Sequence, residues 1–198
     1  MKNVILQVVL FIVIIVLGYF IYESIQAPLR FKKEVERRER IVVDKLKDIR
    51  KAQLIYKKMK GSYADNFDSL ESFLAVAEIP IVKMVQDPND TTYTKTINDT
   101  IGYIKVEDTL FKNKPYTLQE LSIIPFSGGE EFEMAADTID RGGVLVHVFQ
   151  VLAPYKAFLK GMDKQRVINL VAKMEDTDRY PGLKLGSLTE ASTDGNWE

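Results

Sequence analysis

The chain of 198 residues is 46% hydrophobic and contains no cysteine. This length suits one folded domain with an anchor, and a chain without cysteine has no disulfide, thiolate zinc site or cysteine nucleophile. The net charge of −1 hides two opposed parts, because residues 1–60 carry 14 Lys and Arg against 6 Asp and Glu (+8), whereas residues 61–198 carry 13 against 22 (−9). We favour a basic stalk beside a membrane and an acidic head over an ordinary solvated helix.

The first predicted element is an uncharged apolar run over residues 4–22, VILQVVLFIVIIVLGYFIY. As a helix these residues span about 28 Å, close to the hydrocarbon thickness of a bilayer. A cleaved signal peptide has a shorter apolar stretch and small residues before its cut, whereas a cut after Ala27 would leave Ile25 three positions from its end. We therefore expect residues 1–27 to be a retained, single-pass transmembrane anchor in contact with membrane lipid.

Residues 28–60 predict an amphipathic spine helix. Apolar residues recur at every seventh position, with others beside them, and form one stripe: Val35, Val42, Ile49 and Tyr56, then Phe31, Leu46, Ala52 and Met59. Arg38 and Lys45 occupy the intervening heptad positions, which favours a stripe packed on a sheet of the same chain over a coiled coil. Pro28 can begin this helix or kink one long rod, and Gly61 supplies a left-handed cap that ends it.

Residues 61–198 predict a globular α+β head. A short helix capped by Asp68 and Ser69 is expected to end at Pro80. The strand-like runs IVKMVQ, TTYTKTI and IGYIKV follow, with turns at DPND and ND, and two or three further strands turn at Gly128–Gly129 and at Arg141–Gly143. A helix capped by Asp163, with Val167, Leu170, Val171 and Met174 on one face, precedes a short strand and a flexible polar tail. Helix first and antiparallel strands after indicate an α+β fold in which the spine packs on the sheet.

One tripeptide recurs in the head: Asp, then Ser or Thr, then an apolar residue or Thr. Its five copies place a hydroxyl at Ser69, Thr91, Thr100, Thr109 and Thr138. The pattern resembles the O-glycosylation sequon that one phylum of Gram-negative bacteria applies to periplasmic and surface proteins, and it implies these five residues as possible O-glycosylation sites. The alternative is turn and cap chemistry, for which Asp-Thr and Asp-Ser are common.

The sequence offers no catalytic apparatus that we can assemble. His147 is the sole histidine, and between apolar neighbours in VLVHVFQV we expect a core or edge residue. Without a cysteine or a second histidine the common nucleophile and base pairs are missing. No glycine-rich phosphate loop follows a strand, and Glu130, Glu131 and Glu133 form a solvated strand face. We expect no enzyme, no catalytic residue, no cofactor and no nucleic-acid partner.

Calcium is the one metal to consider, because it takes oxygen ligands. Asp176, Asp178 and Asp194 could converge near the tail, although their spacing is not that of a recognised loop. We therefore expect no metal site, and calcium is the exception to test.

The end of the spine and the loop after it carry a motif, A-x3-Y-x4-G-x-Y-x3-F-x2-L, formed by Ala52, Tyr56, Gly61, Tyr63, Phe67 and Leu70. It resembles the type IV pilin and type II secretion pseudopilin family, as does the acidic close with Asp194 and Trp197. The resemblance implies a pilin-like fold in which Tyr63 and Phe67 close the lower edge of the sheet. No prepilin-peptidase leader precedes the apolar run, so we expect an anchor that is not cleaved.

The resemblance implies a membrane-anchored structural or assembly subunit of a bacterial envelope complex, in secretion, surface-fibre or transport machinery. Its partners would be inner-membrane lipid, other envelope proteins and further copies of itself. Lys2 precedes the anchor, whereas six Lys or Arg follow it by residue 40, and this charge bias predicts a cytoplasmic head. The resemblance and the sequon instead favour a periplasmic head, which we prefer. The alternative function is a membrane-tethered ligand-binding or regulatory module, which a pocket lined by convergent polar groups would favour.

Overall fold

The structure, a computed structural model, describes residues 2–86 and 96–198. It confirms an α+β fold, with one long N-terminal helix followed by a head that contains two separate antiparallel sheets. The elements follow in this order: α1 (Lys2–Lys60), α2 (Phe67–Val76), β1 (Glu78–Gln86), β2 (Thr96–Lys105), α3 (Val106–Phe111), β3 (Glu133–Arg141), β4 (Val144–Pro154), α4 (Tyr155–Phe158), α5 (Lys164–Glu175) and β5 (Gly182–Gly186).

Helix α1 runs without a break through Pro28. At about 1.5 Å per residue it is about 90 Å long. The large apolar side chains from Val8 to Tyr22 are 44–64% exposed. In the second half Val42, Leu46 and Ile49 are fully buried. The predicted stripe is confirmed over this stretch, but Met59 at its end is 50% exposed, because the head no longer covers the last turn.

The helix ends at the predicted glycine. Gly61 has a φ of 87°, and its backbone N–H donates to the carbonyl of Lys57 at 2.8 Å, as a left-handed cap requires. The cap predicted for α2 is wrong by two residues. Asn66 is the N-cap, with an extended backbone and a side-chain oxygen that accepts from the N–H of Ser69 at 2.8 Å, so Asp68 and Ser69 lie in the first helical turn.

Strands β1 and β2 form a two-stranded ribbon apart from the main sheet. The turn predicted at Asn98–Asp99 is wrong, because β2 continues through both residues. Ile81 pairs with Gly102 and Val82 pairs with Thr100, so that Ile101 forms a bulge. The predicted DPND turn and the first part of TTYTKTI lie outside the described residues.

The main sheet has the order β3-β4-β5. Gly142 and Gly143 have φ values of 66° and 86°, which suit a two-residue hairpin turn between β3 and β4. The strand predicted for the segment before Gly128 is replaced by a 3-10 helix, Leu118–Glu120, and one isolated bridge between Ile123 and Glu131. There Thr117 and Glu120 form a capping box, which favours a helical turn over a strand.

One hydrophobic core joins the second half of α1 to the head. The predicted helix α5 is confirmed, with Asp163 as its cap and with Val167 and Val171 buried. The largest fully buried hydrophobic side chains come from α1, α2, the segment before β3, β4, the end of α4 and β5: Val42, Leu46, Ile49, Leu70, Leu74, Leu121, Ile124, Phe149, Phe158, Leu159 and Leu185. The spine is therefore part of the head's own core.

Candidate functional site

The contact between α1 and the head, which we call the spine–head seam, contains charged side chains within its apolar stripe. Lys45 is 5% exposed, and its ammonium donates to the carbonyls of Ile123, at 2.6 Å, and Glu120, at 2.5 Å. Burial lowers the pKa of Lys45 to about 8. Arg38 donates to the carbonyls of Phe158 and Lys160 at 3.0 and 2.9 Å. Both cations thus bind backbone carbonyls that lie outside the strands of the sheets.

Two carboxylates of α1 also face the head. Asp48 is 2% exposed, accepts from the hydroxyl of Tyr116 at 2.6 Å and pairs with Lys114. Glu39 accepts from the hydroxyl of Tyr155 at 2.8 Å. The pKa of each tyrosine is raised, mainly by burial and secondly by the hydrogen bond that the tyrosine donates to Asp48 or Glu39. Both hydroxyls therefore remain protonated donors.

Gln53 is a fully buried polar residue of the seam. Its side-chain amide donates to the carbonyl of Ala64 at 2.9 Å and accepts from the N–H of Ala64 at 2.9 Å. Both backbone groups of a buried loop residue are therefore satisfied by one side chain of the spine. This contact fixes the loop that carries Tyr63.

The C-terminal residues dock on β5 and on the spine. Arg50 pairs with Glu198 at 2.8 Å, and this pairing lowers the pKa of the Glu198 side chain. Asn196 accepts from the N–H of Lys184 at 3.0 Å and donates to the carbonyl of Gly182 at 2.9 Å. The tail differs from the predicted flexible coil because it supplies hydrogen-bond partners to the outer edge of β5.

The motif residues of the pilin resemblance lie together at the end of the seam. Ala52 and Leu70 are fully buried, and Tyr56 packs edge-to-face on Phe73 at a ring distance of 4.8 Å. Tyr63 packs on Phe149 of β4 at 4.6 Å, and Phe67 lies 6.3 Å from Phe132. With Gly61 in its left-handed cap, these residues are packing and turn residues.

Phe126 forms a further contact between the head and α1. Its φ of 66° is uncommon for a residue with a side chain. The guanidinium carbons of Arg37 and Arg38 lie 5.1 and 4.9 Å from the centre of its ring. Ser127 supports this loop, because its hydroxyl donates to the carbonyl of Ile124 at 2.8 Å and accepts from the N–H of Glu130 at 2.9 Å.

An open cleft of about 930 Å³ separates the spine from the end of the head. Glu36, Glu39, Arg40 and Val43 of α1 form one wall, and the other wall contains Tyr155, Met174, residues 178–180 and 182–184, Asn196 and Trp197. Burial raises the pKa of Tyr180 to about 12. The indole Nε1–H of Trp197 is buried and has no hydrogen-bond acceptor in the part of the chain that the structure describes, which is rare for a buried donor.

Four of the five sequon hydroxyls lie within the described residues. Thr100, Thr109 and Thr138 are exposed, and Ser69 is half-buried on α2. Thr109 donates to the carbonyl of Lys105 at 3.2 Å, and the Thr138 hydroxyl is 2.8 Å from Nδ1 of His147. Thr91 lies outside the described residues.

The structure does not bring the candidate calcium ligands together. Asp194 lies 3.9 Å from Arg50, whereas Asp178 lines the cleft and Asp176 ends α5. Across residues 2–86 and 96–198 no group of three or more His, Asp or Glu side chains is placed to hold a metal ion. His147 is half-buried in β4, the central strand of the main sheet, where it lies opposite Thr138 of β3.

The sequence pattern did not identify the roles of Lys45, Gln53 and Arg50. Their common signal is a polar residue at a position where the helical period expects an apolar one, or beside such a position. Arg38 and Lys45 were visible as interruptions of the heptad. The partners of these residues lie outside the helix, however, in Ala64 for Gln53, Glu120 and Ile123 for Lys45 and Glu198 for Arg50, and a local pattern does not reveal them.

Helix α1 is, among the described elements, the one long and apolar enough to cross a membrane, and its most apolar 18-residue stretch is wholly exposed. Comparison of the chain with protein-family profiles, with curated proteins and with solved structures gives no match. The resemblance to pilins therefore depends on the motif residues alone and stays a prediction.

Proposed function

We propose that this protein is a membrane-anchored, pilin-like structural and assembly subunit of a bacterial envelope complex. In this proposal the first part of α1 crosses the inner membrane once and the head lies in the periplasm. The role is non-enzymatic, and it consists of holding the head at a fixed position relative to the membrane and to partner proteins in secretion, surface-fibre or transport machinery.

The observation that carries the proposal is the continuity of α1. Residues 8–22 expose apolar side chains on every face, whereas Val42, Leu46 and Ile49 in the second half of α1 are fully buried in the head. An anchor joined to its domain by a flexible linker would leave the domain free to rotate. Here the anchor and the head's core share one rigid element, which suits a subunit whose orientation matters.

The polar contacts of the seam support the same role. An apolar stripe by itself permits small rotations and shifts, because hydrophobic contact is not directional. Lys45, Gln53 and Arg38 each hydrogen-bond to backbone groups of one or two particular head residues. Such bonds have defined geometry, so they fix the register of the head on the helix.

The exposed sequon hydroxyls support a periplasmic head. Thr100, Thr109 and Thr138 present hydroxyls on the surface of the head, where a glycosylating enzyme can reach them.

The compartment of the head can be tested by labelling, because the chain contains no cysteine. Introducing one cysteine at Leu145, which is 71% exposed, gives a direct test. We expect an impermeant maleimide to label this variant in cells with a permeabilised outer membrane. Labelling only after lysis would place the head in the cytoplasm.

The assembly role is tested by crosslinking in living cells. Ile41 and Leu54 are 40% and 45% exposed on the spine, and a photoreactive phenylalanine analogue at either position should form adducts with a partner protein or with a second copy. The matched control is Val144, at the tip of the β3–β4 hairpin. Absence of protein adducts from both spine positions contradicts the proposal.

A second candidate function is a membrane-tethered ligand-binding module. The cleft between the spine and the head favours it, because the cleft is large enough for a small ligand and combines aromatic with charged side chains.

A further inference from the structure

We propose that the cleft binds a compact anion carried on an aromatic or aliphatic body. This inference rests on the second candidate function and adds the chemical class of the ligand. It depends on the charges that line the cleft and on the aliphatic and aromatic side chains beside them.

The charged groups of the cleft differ in whether they already have partners. Glu39 accepts from Tyr155 at 2.8 Å, and Glu36 is 3.9 Å from Lys32. By contrast Arg40, Arg179 and Lys184 have no carboxylate within 4.0 Å in the part of the chain that the structure describes. The groups of the cleft that lack an ion pair are therefore mainly hydrogen-bond donors with positive charge.

Asp178 and Glu39 are the carboxylates of the cleft that oppose this balance. Asp178 has no ion pair among the described residues, and the hydrogen bond that Glu39 accepts comes from a neutral hydroxyl and leaves its charge in place. Three cations without an ion pair against two such carboxylates give the cleft a positive excess of one charge. A charge-assisted hydrogen bond from a guanidinium to an anion is among the stronger polar contacts in proteins.

The remainder of the cleft is suited to the body of such a ligand. Val43, Met174 and Leu183 give aliphatic surface, and Tyr180 and Trp197 give aromatic faces. The Nε1–H of Trp197 is itself buried and has no acceptor among the described residues, so the ring contributes its aromatic surface to the cleft. The ring lies directly over Gly195, where a Cβ atom would approach it to 2.3 Å, so glycine permits this placement.

Trp197 is the chain's single tryptophan, so its fluorescence reports on this cleft. The test uses the full chain in phosphatidylcholine nanodiscs and three iodinated probes of matched length, because iodine quenches tryptophan on contact. The probes are 4-iodophenylacetate, the neutral 2-(4-iodophenyl)ethanol and the cationic 2-(4-iodophenyl)ethylamine. We expect saturable quenching by the acid, with a Kd at least about tenfold lower than that of the amine.

Variants assign the effect to the cleft. Arg179→Gln with Lys184→Gln should weaken binding of 4-iodophenylacetate by about tenfold or more. The control, Arg141→Gln with Lys112→Gln, changes the net charge equally at exposed positions outside the cleft and should leave the Kd within about twofold. An equal loss in both double variants overturns the inference, since the effect would then be one of overall charge.

The remaining outcomes separate this inference from the function on which it rests. Saturable binding in which the amine equals or exceeds the acid overturns the assignment of an anion and leaves a binding module in place. Linear, unsaturable quenching by all three probes overturns the binding module as well. Neither result bears on the assembly role, which the crosslinking experiment tests.

Discussion

The two halves of α1 share one backbone and differ in their surroundings. Residues 7–22 are apolar and exposed on every face, whereas the second half buries one stripe and carries Lys, Arg and Glu on the others. A helix that is apolar all round needs an apolar solvent, and a striped helix needs a partner surface. The distribution of side chains around the helix therefore distinguishes the part expected in lipid from the part that organises the head.

The same substitution should therefore destabilise the head strongly when made in the second half and hardly at all when made in the first. The chain offers matched pairs of leucine, glutamine and glycine, one member in each half. Unfolding of the head can be followed for each by the fluorescence of Trp197, in a mild detergent with increasing urea.

The largest effect is expected for leucine. Leu46 is fully buried in the core, whereas Leu17 is 55% exposed. Leu46→Ala removes buried methyl groups and leaves a cavity, so it should lower the free energy of unfolding by about 2–5 kcal/mol. Leu17→Ala should change it by less than about 0.5 kcal/mol. Equal losses from the two variants would show that both halves pack on the head.

A smaller effect is expected for glutamine. Gln53→Leu nearly keeps the side-chain volume but leaves the buried N–H and carbonyl of Ala64 without partners, at a cost of about 2 kcal/mol. Gln7→Leu, in the apolar run, should not change the urea midpoint. A Gln53→Leu variant as stable as the parent chain would remove Gln53 from the account of how the loop is held.

Glycine gives the third pair. Gly61 has a φ of 87°, and a Cβ atom would meet open space at both Gly61 and Gly18. Gly61→Ala must therefore lose about 1 kcal/mol through backbone strain alone. Gly18→Ala, within a helix, carries no such strain, and thermal denaturation should show a lower Tm for the first variant only.

The smallest effect concerns a carboxylate that packs near the seam. Burial raises the pKa of Glu71, and its Oε1 has no hydrogen-bond partner within residues 2–86 and 96–198. Between the unfolded and folded pKa values the folded state holds the extra proton, so the stability that Glu71 supplies is complete below the unfolded pKa and is lost as the pH rises through the folded one.

Glu71→Gln should therefore raise the free energy of unfolding at pH 7, by less than about 1 kcal/mol because solvent screens this partly exposed group, and by less still at pH 4. The control is Glu23→Gln, at an exposed position of α1, whose effect should stay below about 0.5 kcal/mol. A Glu71→Gln variant that is less stable than the parent chain at pH 7 would contradict the cost assigned to this burial.

Much of the fold was predictable because its signals are local. The stripe of α1, the stop at Gly61, the Gly142–Gly143 turn and the Asp163 cap each depend on neighbouring residues. The register of β2 could not be predicted. Asn98 and Asp99 have the composition of a turn, and their strand conformation comes from pairing with β1. The cleft was also beyond prediction, since it forms where Arg40 and Trp197, remote in sequence, come to line one space.

In the proposed arrangement one helix lies in two environments, with its first part in lipid and its second part packed on the head. The absence of cysteine allows single cysteines at Ile14 and Ile41, which are 58% and 40% exposed on α1. In sealed vesicles with the head outward, an impermeant maleimide should label Ile41→Cys at once and Ile14→Cys only after detergent is added. Equal labelling of both variants in intact vesicles would contradict the account.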